Sequence, residues 1–302
     1  MNTKRKNSLY YRQKVLLALL EVFGGKLGKT DLQKYLFLFT QEYQKDKSYE
    51  FIPYKYGCFS FQSVADKRKL TDIGIIKDTE CWEIAEKSDY LAKIATEDCE
   101  NLILLRNKYK NIKGNNLIRD VYRRYSYYAI NSEISGEVMN KREIKILERK
   151  KPSQTNYAFF TIGYEGKFFE NYLNRLIKNN VHLLCDVRKN AFSRKYGFSK
   201  KILSKTLEEI GIEYTHMPEL GIVSEKRRSL NSQADYDRIF HDYEFCTLKE
   251  NKIALEELYN LFRKYRRVAI TCFEADSNMC HRSLVAKAIS QRPDWEYEIS
   301  HI

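Results

Sequence analysis

Chemistry-bearing residues gather in the second half of the sequence, each group directly at the end of a short apolar run. Gly163-Tyr164-Glu165-Gly166 follows Phe159–Ile162, and Asp186-Val187-Arg188 and then Phe192-Ser193-Arg194 follow Val181–Cys185. His216 ends Glu213–His216, while Glu274 and then Cys280-His281-Arg282 follow Val268–Cys272. The set contains the acids Glu165, Asp186 and Glu274, the bases Arg188, Arg194 and Arg282, and the imidazoles His216 and His281. Arginines hold phosphate or carboxylate through bidentate hydrogen bonds, aided by backbone N–H groups at a helix start, here near Cys280. An anionic ligand is the direct inference, bound by Arg188, Arg194 and Arg282 with Ser193, Cys280 and His281 beside them. The three acids are the candidate catalytic groups: a general acid, a base, or a stabiliser of an oxocarbenium-like transition state in N- or O-glycosidic cleavage. An alternative stays open, in which Asp186 and Glu274 each pair with an arginine in a network without chemistry.

Cys280 sits near the predicted helix start beside His281 and Arg282, surroundings that lower a thiol pKa and favour a nucleophile. A phosphatase-type loop, however, needs an arginine six residues after its cysteine, and that position is Ala286. Cys272, Cys280 and His281 offer three zinc ligands, but no fourth is spaced to complete a recognised pattern, so no metal or cofactor is expected. GxGxxG, GxxxxGK[ST] and a serine nucleophile elbow are all missing, which removes the usual support for dinucleotide and nucleoside-triphosphate chemistry.

These groups need elements that bring them together. The runs just named alternate with amphipathic patterns near Phe168–Lys178, Lys201–Ile210, Asp235–Phe245, Ala254–Lys264 and Cys280–Ser290, and Tyr297–Ile299 offers a last strand. Such alternation predicts an α/β unit, a mostly parallel sheet with helices on both faces. All strand carboxyl ends then share one edge, where ligands bind, and segments far apart in sequence converge. The first half reads differently. Helical spacing runs from Tyr10 to Phe23 and stops at Gly24-Gly25; Thr30 caps a second helix with Leu32, Tyr35, Leu36 and Phe39 on its apolar face. A third helix covers 60–73, Ile75-Ile76 and Trp82 supply short strands, and further helical patterns cover Leu91–Lys110, Leu117–Ile130 and Val138–Lys150. That order predicts a helical, winged-helix-like domain. Pro152 with Ser153-Gln154-Thr155 is the natural break, dividing the chain into 1–151 and 152–302.

At 302 residues, 43% hydrophobic and with 41 aromatics, the chain has material for two cores. Lys and Arg total 53 against 40 Asp and Glu, and residues 1–152 carry +10 of the formal +13, so a polyanion belongs to the first half. Tyr54-Lys55-Tyr56 and Tyr122-Arg123-Arg124-Tyr125-Ser126-Tyr127-Tyr128 mix cations with rings, as phosphate- and base-binding surfaces do. Lys67, Arg68 and Lys69 on the third helix point the same way. The competing reading is that these tyrosines pack the helical domain and the charges are solvated. Apolar runs such as Val15–Leu20 and Tyr35–Phe39 are too short for a membrane span, and the basic MNTKRKNS start leads into a soluble helix rather than a cleaved signal. Seven scattered cysteines without a CxxC pair fit reduced thiols in a cytoplasm.

Thr161–Gly166 (TIGYEG), Asp186-Val187-Arg188, Ser193-Arg194, Gly197-Phe198-Ser199 and Cys272-Phe273-Glu274 with Cys280-His281-Arg282 resemble the signature of the domain of unknown function 488 family over about 157–290. That resemblance implies a compact α/β domain with its motifs in one cleft, and it bears on the site rather than on the reaction. Asn190-Ala191 stands where the family usually has a proline. Leu32–Phe39, Pro53–Phe61 (PYKYGCFSF), Leu70–Ile76 and Tyr122–Ser132 are similar to the winged-helix-like domain of the Panacea antitoxin group over roughly 8–135, with Cys58 where that group often has proline. This similarity implies a nucleic-acid or protein-interaction module and a defence setting, since Panacea domains neutralise toxins by protein contact. The combined expectation is a cytoplasmic nucleic-acid-processing protein. Its basic half holds nucleic acid, DNA in the first instance, while its α/β half acts on a nucleotide unit by removing a modified base, with Tyr164, Phe192 and His216 stacking on or bonding to the flipped base. The alternative, from another class, is a non-catalytic regulator that senses a small anion and contacts DNA or a protein partner.

Overall fold

The computed structural model describes residues 8–86, 88–223 and 233–302, so the basic stretch at residues 1–7 lies outside the described residues. The chain divides into two compact units, Met1–Lys151 and Pro152–Ile302. In the first, helix α1 (Tyr11–Val22) carries a run of apolar residues, Val15–Leu20, all of them fully buried, so this helix is covered on every side rather than along one stripe. It stops at Gly24 and Gly25, both at positive φ, which glycine alone adopts cheaply. A short strand β1 (Lys26–Leu27) leads to helix α2 (Lys29–Glu42). The cap of α2 is Gly28 and not Thr30 as the sequence suggests; Thr30 lies one position inside the helix.

Strands β2 (Ile52–Tyr54) and β3 (Gly57–Phe59) form a hairpin turned at Lys55-Tyr56, and helix α3 (Phe61–Asp72) follows, its first turn capped by the Ser60 hydroxyl accepting from the Ser63 N–H (3.3 Å). The hairpin glycine is needed twice over: Gly57 has φ +86°, and a Cβ there would lie 2.4 Å from the Tyr122 ring. Strand β4 (Trp82–Glu83) returns antiparallel to β1, with Ile76 bridging Ile84 beside it, so Ile76 and Trp82 do form the expected short-strand ribbon. Helices α4 (Thr96–Tyr109), α5 (Asn115–Arg124), α6 (Ser135–Val138) and α7 (Lys141–Glu148) complete the unit, with a 3-10 turn at Ser126–Ala129 where the sequence pattern runs on as helix.

The second unit runs β5 (Ala158–Gly163), α8 (Phe169–Lys178), β6 (Leu183–Asp186), α9 (Lys200–Glu209), β7 (Glu213–His216), α10 (Gln233–Asp242), a π turn at Tyr243–Thr247, α11 (Leu248–Glu250), α12 (Lys252–Tyr265), β8 (Arg267–Cys272), α13 (His281–Ser290) and β9 (Ile299–His301). The five strands lie in the order β7-β6-β8-β5-β9, every pair parallel. The last strand begins at Ile299, two residues beyond the expected start at Tyr297. Alternate residues Phe159, Leu183, Cys185, Val268 and Ile270 face a core with Leu258 and Phe262 of α12 and Val285 and Ile289 of α13. On the opposite face the α8 residue Tyr172 donates its hydroxyl to Thr271 Oγ1 (2.9 Å).

Because β8 inserts between β5 and β6, the loop after β8 is flanked by the loops after the other two at the shared carboxyl edge. They meet closely. The N–H groups of Tyr164 and Glu165 both donate to the Phe273 carbonyl (3.1 and 2.8 Å), and a Cβ on Gly163 would lie 1.7 Å from the Glu274 carbonyl oxygen. Gly163→Ala is therefore expected to lower the unfolding free energy by about 3 kcal/mol, since overpacking a dense interior forces backbone shifts. Urea denaturation of the two proteins checks it, and an unchanged midpoint would contradict this close approach.

Candidate functional site

At the end of β6, Asp186 is fully buried and bound on both carboxylate oxygens. Arg188 donates to Oδ1 from its backbone N–H (3.1 Å) and Nε (2.8 Å), and to Oδ2 from Nη2 (2.5 Å); the Tyr214 hydroxyl donates to Oδ2 as well (2.8 Å). The remaining face of the guanidinium is engaged too, with Nη1 donating to the Tyr164 hydroxyl (2.9 Å) and the Phe198 carbonyl (2.8 Å). Burial works against the Arg188 charge, but Asp186 holds its pKa above the ordinary arginine value. Burial, with Asp186 beside it, likewise pushes the Tyr214 phenol up. This is the ion-pair alternative realised for Asp186. The pair positions a loop, and neither member is available as a proton carrier or as the main holder of a ligand phosphate.

Arg282 also differs from its expected role. It is buried, and its guanidinium donates to the backbone carbonyls of Glu274 and Ala275 (3.0 Å for the latter) and to Thr161 Oγ1 (3.3 Å). It clamps the loop after β8 onto β5. Arg194 is exposed at the cleft and makes no ion pair among the described residues.

A cleft of about 690 Å³ opens at this edge, lined by Tyr164, Arg188, Lys189, Asn190, Phe192, Ser193, Arg194, Ile222, Cys272 and Phe273. Two of its rings face solvent, Phe192 at 69% and Phe273 at 42% exposure. Tyr164 is buried, its ring stacked on Phe198 at 4.2 Å with the Arg188 guanidinium carbon 5.1 Å from the ring centroid, so it does not face solvent as Phe192 and Phe273 do. At Asn190-Ala191 the Asn190 Oδ1 accepts from the Phe192 N–H (3.1 Å), so a side-chain turn supplies the bend. Ser193 is tied back by its neighbours, its Oγ accepting from the Lys195 N–H (3.2 Å) and its carbonyl from the Ser199 hydroxyl (2.8 Å). Lys167 and Lys195 donate to the carbonyls of Gly163 (2.7 Å) and Tyr164 (3.0 Å). Burial lowers both lysine pKa values, and Arg175, Arg282 and Lys195 lower that of Lys167 further. Positive charge is in excess here.

Behind the wall at Cys272 lies a compact set of donors. Glu274 Oε2 accepts from the thiols of Cys272 (3.2 Å) and Cys280 (2.9 Å), while His281 Nδ1 lies 3.6 Å from the first sulfur and 4.0 Å from the second. His281 Nε2 faces the Val187 carbonyl (3.1 Å). The structure thus supplies the fourth donor that spacing did not, Glu274, two residues after Cys272. Burial, with Cys272 and Glu274 adding to it, pushes the Cys280 thiol well up, against the lowering expected from its position.

The other expected residues are more scattered. Glu165 is exposed and accepts from the Ala275 N–H (3.1 Å) rather than lining the cleft. His216 supports the cleft wall from behind, its Nε2 against the Arg188 carbonyl (2.9 Å) and its Nδ1 near Lys200 Nζ (3.3 Å). In the first unit Arg123 pairs with Glu143, and Arg124 with Glu42 (2.6 Å) and Asp120 (3.1 Å), so both are internally neutralised. Lys55 is exposed with Glu133 4.0 Å away. On α3, Lys67 donates to the Thr79 carbonyl (2.8 Å) and lies over Trp82, Lys69 lies over Tyr10, and Arg68 is exposed. Tyr122 is fully buried and Tyr125 and Tyr128 pack on Phe37, which is the packing alternative for that aromatic run. Sequence reasoning left out Lys189 and Tyr214, and it quoted Phe273 within a motif without giving it a role. Lys189 and Phe273 stand next to chosen motif residues, and an apolar residue between Cys272 and Glu274 was the visible signal for Phe273.

Residues 169–289, within the second unit, match the family model described as Domain of unknown function DUF488, and that stretch is similar to the family. No curated protein matches the chain, and no solved structure does.

The buried pair makes a sharp energetic prediction. Asp186→Leu alone leaves a buried guanidinium unpaired and is expected to lower stability by about 3 to 5 kcal/mol. Asp186→Leu combined with Arg188→Met removes both charges and is expected to lose clearly less than the two single changes added together. Denaturant titration of the three variants measures this coupling, and strict additivity would show that the pair is not a unit.

Proposed function

We propose that this is a nucleic-acid-processing protein whose basic helical unit holds DNA and whose α/β unit takes one nucleotide of it into the cleft to remove a modified base. The observation that carries the reading is the pairing of two solvent-facing rings, Phe192 and Phe273, with the cations Arg194 and Lys189 in one cleft of about 690 Å³. Rings accept a base by stacking and the cations accept its phosphates. An enzyme acting on a base must unstack it into such a pocket. Removal is hydrolytic: water adds across the glycosidic bond, its hydroxyl to the sugar carbon and its proton to the departing base. Of the three acids, Glu274 is the one set behind the cleft wall at Cys272, and it is the proposed proton-handling group. In the basic unit, Lys67, Arg68 and Lys69 of α3 are the proposed phosphate contacts. No helix among the described residues is long and apolar enough to cross a membrane, and the free cysteines suit a reducing cytoplasm.

Two measurements test the reading. Incubation with duplex and single-stranded DNA carrying varied bases should release free base from one of them, and Phe192→Ala should slow that release by about 5- to 100-fold, the worth of one stacking contact. Binding without product, altered by a small anionic metabolite, would favour the sensor reading instead. In a salt titration of DNA binding, replacing both Arg68 and Lys69 by Ala should make the slope of log affinity against log salt shallower by about 2. An unchanged slope would remove α3 from the interface.

A further inference from the structure

We propose that Cys272, Glu274, Cys280 and His281 form a binding site for a zinc-class divalent ion. Four ligand atoms of these residues lie within 4.8 Å of one another, and no other such group occurs among the described residues. A tetrahedral ion with sulfur, nitrogen and oxygen ligands at ordinary zinc distances separates its ligands by roughly 3.5 to 3.8 Å. The observed separations of 2.9, 3.2, 3.6 and 4.0 Å scatter around that range. Two thiolates, one imidazole and one carboxylate are a donor set that borderline-soft zinc accepts and that magnesium or calcium does not.

A further feature points to an ion rather than to a plain hydrogen-bonded cluster. The imidazole is oriented: a backbone carbonyl only accepts, so Nε2 carries the proton it donates to Val187, and in the neutral ring Nδ1 turns its lone pair toward the sulfurs. Ligating histidines are fixed in this way by a partner on the far nitrogen. An ion held by two thiolates and a carboxylate leaves the cluster with one net negative charge, which is compatible with the buried Arg282 next to Cys280 and bonded to the Glu274 backbone. Loading releases one proton from each thiol to solvent and changes no oxidation state.

The assignment holds whatever the cleft binds. If the base-removal reading is also right, the ion takes over Glu274 as a ligand and supplies charge stabilisation where a bare carboxylate would have handled a proton; base release then fails in Glu274→Gln under either account, whereas metal content separates them. The test uses the full chain purified without a metal-affinity step and under a phosphine reductant. Elemental analysis should find close to one zinc per chain, and cobalt exchanged into the protein should give the thiolate-to-metal absorption and the intense visible bands of a tetrahedral site. Cys272→Ser and Cys280→Ser should each cut zinc content at least tenfold, with circular dichroism reporting whether the fold persists. Should either variant fail to fold, the cobalt spectrum of the parent decides alone. A parent that carries no zinc, takes up none when supplied and shows no thiolate–cobalt band overturns the proposal, as does recovery of Cys272 and Cys280 as a disulfide that persists when zinc is offered.

Discussion

The carboxyl edge of the sheet depends on one buried ion pair. Asp186 closes β6, and Arg188, two residues on, turns back to bind both of its oxygens while reaching Tyr164 on the loop after β5 and the Phe198 carbonyl at the far end of its own loop. One planar guanidinium therefore links two strands' loops at fixed geometry, which a flexible ammonium would do poorly. Such a pair is a weak source of net stability, because desolvation offsets most of the attraction. Its effect is specificity: with Arg188 held, the segment 189–194 is presented outward, and Lys189, Phe192 and Arg194 become a surface instead of a collapsed loop.

The three arginines of the site show how environment assigns roles to identical side chains. Arg188 finds a carboxylate, Arg282 finds backbone carbonyls, and Arg194 finds solvent. The acids divide in the same way, Asp186 into an ion pair, Glu165 onto a backbone N–H at the surface, and Glu274 among two thiols and an imidazole. A cleft that starts as three acids and three arginines in sequence thus resolves into a rigid frame, a cationic aromatic mouth, and a sulfur-rich cluster behind it.

Much of the frame was legible. Strand positions followed from β-rich runs between amphipathic helices: β6 and β8, buried along their whole length, read as short apolar runs, and the edge strand Glu213–His216, only partly buried, appears with the same ends in the structure. Pro152 marks the boundary between the units for the reason proline usually does, its lost N–H and fixed φ. Less visible were features set by distant partners. The cap of α2 moved to Gly28, and the pattern around Asp235–Phe245 breaks into a π turn at Tyr243–Thr247, where the Tyr243 hydroxyl donates to the Leu220 carbonyl (2.6 Å). The tyrosines of 122–128 joined a core, since rings long enough to stack on a base are equally able to stack on Phe37.

The order of residue types along the chain determined by itself that an α/β unit follows a basic helical one, and that its polar residues collect at one sheet edge, because hydrophobic period and strand direction are local properties. Tertiary structure alone decided which of those polar residues face a ligand, which face each other, and that Glu274 completes a set with Cys272, Cys280 and His281. Hydrogen bonding and desolvation act over about 3 Å in space, and separation along a chain carries no record of that distance until strand β8 is inserted between its neighbours.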